Sequence, residues 1–103
     1  MDAEETETEP EELQAPDELV ITLRKPIVFA DTRYDEIKLR EPTAGEMEKV
    51  EAFSGIKTTM ELIRVIAAVP DGVVKKIVIT DLRRAADYFL VFTQGARWKP
   101  EGA

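Results

Sequence analysis

Apolar and polar positions alternate from the outset of residues 19–24, with Leu19, Ile21 and Leu23 on one face and Val20, Thr22 and Arg24 on the other. Period-two patterning with β-branched residues predicts a strand buried on one side. Pro26 has no N–H to give a ladder and suits an edge strand or a bulge, after which Ile27, Val28 and Phe29 resume the extended pattern. Residues 30–33 offer one acid suited to a turn but no glycine, so a turn is expected and its type is open. Residues 34–40 alternate again, with Ile37 and Leu39 inward. The two runs predict a β-hairpin. A lone hairpin is marginal in water, so its apolar face requires a packing partner.

The period then lengthens. Pro42 biases Glu41 to extended backbone and ends the second strand. Thr43-Ala44-Gly45-Glu46 matches a capping box and opens a helix over about 44–53, with Met47, Val50 and either Ala52 or Phe53 inward and Ser54-Gly55 as its stop. A second helix is expected from Thr58 or Thr59 to about Val69. Its apolar positions are Met60, Leu62, Ile63, Val65, Ile66, Ala67 and Val69, relieved only by Glu61 and Arg64. Pro70-Asp71-Gly72 interrupts. Val73, Val74, Ile77 and Val78 give a short helical turn, although the same residues favour strand. Thr80 or Asp81 is expected to cap a last helix that is apolar nearly all round, through Leu82, Ala85, Ala86, Phe89, Leu90 and Phe92. The fold class is α+β: an N-terminal β-hairpin followed by a small bundle of three to four short helices.

Charge divides the chain further. The net charge of -7 comes from the front, because residues 1–18 hold nine acids and no base, leaving 12 acids and all 14 bases to the other 85 residues. With two prolines and Leu13 as its only large apolar residue after Met1, this stretch cannot bury enough surface to offset its ordering entropy. The expected organisation is a disordered acidic leader over 1–18, a compact domain over 19–94 and a flexible C-terminal tail over 95–103. Trp98, between Arg97 and Lys99, either anchors a partner or folds back over an apolar face. The acidic balance argues against general nucleic-acid binding, and no apolar run approaches the roughly 20 residues of a membrane span. The acidic start does not read as a signal peptide.

Chemistry is sparse. The chain has no histidine and no cysteine, which excludes imidazole and thiolate zinc sites, Cys nucleophiles and Ser–His machinery. Its five glycines are scattered singly, so there is no phosphate loop. Asp35 and Glu36 are adjacent on a predicted strand and face opposite sides. Glu46, Glu48 and Glu51 read as the solvated side of the first helix, Ser54 has only Lys57 near it in sequence, and Lys75, Lys76, Arg83 and Arg84 read as ordinary basic surface. No catalytic residue, metal ligand or cofactor is expected. What stands out is apolar helix surface beyond what one small core hides, the mark of a protein-binding groove or a self-association face. Met60, Ile63, Phe89 and Phe92 are the candidate partner-binding residues on it.

The order of a strand, Arg24-Lys25-Pro26-Ile27, then Ile37-Lys38-Leu39-Arg40-Glu41-Pro42-Thr43-Ala44-Gly45-Glu46, then short apolar helices resembles a family of phage tail assembly chaperones of contractile-tailed phages and Mu-like prophages. Val69-Pro70 with Val73 and Val74, and Thr80-Asp81-Leu82 entering the last helix, are similar to its second half. The likeness covers about residues 19–93. It implies a protein of the host cytoplasm that binds the long, aggregation-prone tape measure protein, keeps it soluble during tail assembly and is absent from the mature virion. Many members also have a longer form made by translational frameshifting, so a second copy or that longer form is a further possible partner. No catalytic residues come with the resemblance, and Leu39, Arg40, Glu41, Pro42 and Thr43 are read as a structural junction of chain reversal and helix capping. The alternative expectation is an acidic regulatory or DNA-mimic protein acting through its leader.

Overall fold

The alternation of residues 19–40 folds as an antiparallel hairpin of β1 (Glu18–Phe29) and β2 (Thr32–Arg40), followed by α1 (Ala44–Val50), α2 (Ile56–Ile66), α3 (Asp71–Val74) and α4 (Ile79–Gln94). This α+β arrangement is seen in a computed structural model that describes residues 14–99. The greater part of the acidic leader and the last residues of the tail lie outside the described residues.

Leu19 pairs with Leu39 and Ile21 with Ile37, setting one continuous apolar face of the sheet. The register then slips between Thr22 and Ile27, where β1 accommodates its extra residues around Pro26 as a bulge. Pro26 therefore bends the strand without ending it. The turn is made by Ala30 (φ 51°) and Asp31 (φ 66°), both in the left-handed region that two-residue hairpin turns of type I′ require. Asp31 tolerates that conformation readily, whereas Ala30 adopts it at a cost of about 1 kcal/mol because its Cβ crowds the following carbonyl.

The hairpin's inner face (Ile21, Leu23, Ile27, Ile37, Leu39) meets Val50 of α1, Leu62 and Ile63 of α2, Val73 and Val74 of α3, and Leu82, Ala85, Tyr88 and Phe89 of α4 in one core. Several helix bounds differ from those expected. α1 ends at Val50, not 53, and Gly55 (φ 62°) precedes α2 as its N-cap instead of closing α1. α2 begins at Ile56 and stops at Ile66, because Ala68 turns left-handed (φ 56°) and Pro70 holds the chain extended before α3. The ambiguous 73–78 stretch is helical only to Val74. At Gly72 of α3 the ring of Phe29 lies where a Cβ would stand, so the hairpin tip rests directly on this helix and a larger residue there would displace that ring.

Candidate functional site

α4 carries apolar residues around most of its circumference, and its two sides meet different fates. Facing α2, it leaves an open trough of about 650 Å³ lined by Ile56, Thr58, Thr59 and Leu62 on one wall and by Ile79, Leu82, Arg83, Ala86, Phe89, Leu90, Thr93 and Gln94 on the other, with Met47 of α1 at its end. A second hollow, lined by Val50, Phe53 and residues of α1, shares Met47 and Thr58 with the first. Among the described residues five large hydrophobic side chains are notably exposed, and three of them belong to these hollows: Ile56 at 51%, Ile79 at 47% and Phe53 at 38%. The other two, Val20 and Val28, lie on the outer face of the hairpin. Exposed apolar side chains gathered in adjoining concavities are characteristic of a surface meant for another apolar body.

Both walls of the trough are helical and mainly apolar, and the polar side chains among its lining are three threonines, Gln94, and Arg83, an exposed cation on α4. Thr93 donates its hydroxyl proton back to the Phe89 carbonyl at 3.1 Å, which leaves its methyl for the wall.

On the side of α4 away from the trough, the same apolar excess is closed. Tyr88 is fully buried and stacks edge-on against Phe92 (5.1 Å) and Trp98 (5.7 Å). Its hydroxyl donates to the carbonyls of Pro16 (2.8 Å) and Asp17 (3.1 Å), binding the approach to β1 against α4. Burial first, then the nearby Asp17, Glu41 and Glu18 carboxylates, push this phenol up to about 12. Gly95 (φ 68°) gives α4 a left-handed cap, and the chain turns back so that half-buried Trp98 covers the cluster. Of the two outcomes open for Trp98, the structure shows the folding back.

The residues named from sequence are therefore distributed. Phe89 lines the trough, although it is only 3% exposed and belongs equally to the core. Ile63 is sealed at 0% exposure, because the α2 face that carries it points at the hairpin, and it offers a partner no surface. Met60 is half-buried against the core, and Phe92 belongs to the Tyr88 cluster; neither lines the trough. The residues the sequence reading missed are Ile56 and Ile79. Each is the first residue of its helix, behind an N-cap (Gly55, Val78) that makes no side-chain capping bond, so the usual start signal is lacking.

The junction is built as a structural corner. Leu39 is core, Thr43 Oγ1 accepts the Glu46 N–H (3.2 Å), and Glu46 Oε1 accepts the Thr43 N–H (2.9 Å), completing the capping box. Arg40 adds a two-pronged bond to both oxygens of Glu46 at 2.8 and 2.7 Å. Glu46 is thus not simply solvated: the Arg40 guanidinium, helped by the Thr43 N–H, holds its carboxyl at about 2. Asp81, expected as a cap, instead lies fully buried in the first turn of α4, where Oδ2 accepts the Arg24 N–H at 2.9 Å and fastens the β1 bulge to the helix. The four cations read as ordinary surface do not act as one group: Lys75 pairs with Asp71 (3.1 Å), Arg84 approaches Asp81 (3.7 Å) and Arg83 lines the trough. Among the described residues no three His, Cys, Asp or Glu side chains form a metal-binding group, and no helix is long and apolar enough to cross a membrane.

The sequence model of a known family, phage tail assembly chaperone proteins, E, or 41 or 14, aligns with residues 20–94. Searches of curated proteins and of solved structures returned no match. The matched span runs from β1 to the last residue of α4 and so contains every wall of the trough.

Proposed function

The chain belongs to the phage tail assembly chaperone family, and from that premise we propose that it holds an apolar helical segment of the tape measure protein in the trough between α2 and α4. The observation that carries this reading is the convergence of exposed apolar residues from two distant parts of the chain, Phe53 and Ile56 on one side and Ile79 on the other, on connected hollows. A helix laid in such a groove buries an apolar stripe that would otherwise drive the free tail protein to aggregate. Arg83 in the trough lining favours a helix with an acid beside that stripe.

The family is non-catalytic in general, and we read this chain likewise as a binding protein and not an enzyme. Its action belongs in the host cytoplasm during tail assembly, from a phage or prophage genome, with release before the virion is complete. Co-expression with the tape measure protein of the same genome tests the reading. The wild-type chain is expected to keep that protein in the soluble fraction, and the paired variant Ile56→Glu with Ile79→Glu to let it precipitate. Equal solubility with either chain would overturn the groove as the holding site.

A further inference from the structure

The hairpin's two outer edges are not equivalent. Along β1, the bulge displaces the strand, Asp81 takes the Arg24 N–H, and Pro26 has none to offer. Along β2, the strand carries neither proline nor extra residues, and among the described residues no backbone group outside the hairpin bonds to it. An edge of this kind is a template for another strand, and a sheet of only two strands gains stability by extension. Natural edges are often blunted by charge, so the charges on β2 decide the matter.

Pairing two copies of β2 antiparallel, with both helical layers on the same side of the sheet, requires residues of equal parity to face one another about a two-fold axis. Centring the axis on Asp35, Glu36 or Lys38 sets a charge opposite itself. Centring it on Ile37 sets Glu36 of each copy opposite Lys38 of the other, twice. Both side chains are exposed, and neither makes an ion pair or a side-chain hydrogen bond within the described residues. We propose that β2 is a self-recognition edge, and that two copies of this chain join through it into a four-stranded antiparallel sheet with Ile37 on the axis. No residue of β2 lines the trough, so the edge is distinct from it.

Sedimentation of the full chain over a concentration series at fixed moderate salt tests this without any tail protein present. The wild type is expected to dimerise. Glu36→Lys alone, or Lys38→Glu alone, places like charges opposite each other at both contacts and should weaken the dimer about tenfold or more. Because each single variant is complementary to the other, an equimolar mixture should form a 1:1 heterodimer of wild-type strength, and Glu36→Lys with Lys38→Glu in one chain should restore the homodimer. Circular dichroism of the singles verifies that these exposed changes leave the fold intact. A wild-type chain that stays monomeric throughout, a dimer indifferent to the single changes, or a mixture that fails to recover would each overturn the proposal.

Discussion

The two sides of α4 carry similar apolar surface and resolve it differently. On one side the chain supplies its own cover, with Trp98 folded over Tyr88 and Phe92 and the Pro16 and Asp17 carbonyls bound to the phenol. On the other, Ile79, Leu90 and Phe89 face Ile56 and Leu62 across an uncovered trough. Both sides come from one amphipathic excess, so hydrophobicity along the helix does not by itself mark a binding surface. What distinguishes the open side is that no segment of residues 14–99 is placed to fill it.

Substitutions can pull this contrast apart. Phe89 serves both sides, and Phe89→Ala should cost about 3–4 kcal/mol in chemical denaturation; a loss under about 1 kcal/mol would mean the ring is not a shared wall. Trp98→Ala acts on the covered side alone and should cost about 1–2 kcal/mol while tape measure solubility in co-expression stays at wild-type level. Loss of holding in that variant would reassign Trp98 to the partner. Tyr88→Phe removes only the bonds to Pro16 and Asp17 and should cost about 1 kcal/mol. It should also change alkaline stability. The folded phenol titrates near 12 and the unfolded one near ~10, so its contribution is whole below pH ~10 and is lost as pH rises towards 12. Denaturation across that window should show the decline in wild type and not in Tyr88→Phe. Ile56→Glu with Ile79→Glu should have the smallest effect on stability, within about 0.5 kcal/mol each, because these side chains are already half in water. A much larger loss would mean that the trough closes in solution.

The sequence disclosed what repeats or caps and withheld what depends on distant partners. The hairpin was legible because period two sets Leu19, Ile21, Ile37 and Leu39 on one face, and the first helix because Thr43 and Glu46 form a recognisable box. The turn type was not, since Ala30 takes a left-handed backbone without the glycine that normally announces it. The Arg40–Glu46 fork, the Asp81–Arg24 clasp and the Tyr88–Pro16 bond join residues 6, 57 and 72 positions apart, which no local pattern encodes. The same limit applies to the trough. Surplus apolar surface could be read from α2 and α4, but Ile63 and Phe92 rank with Ile56 and Ile79 in hydrophobicity, and only the packing separates the sealed from the exposed.

The anchorage of Pro16 and Asp17 on Tyr88 has a practical corollary. At roughly 100° per residue, Tyr88 stands almost diametrically across α4 from Ile79, Ala86 and Leu90 of the trough, so the chain enters the domain from the rear of that helix. A fluorescent label or surface linker attached at Gln14, two residues ahead of that anchorage, is therefore rooted behind the cleft, and this is the place to tether the protein when measuring what it captures.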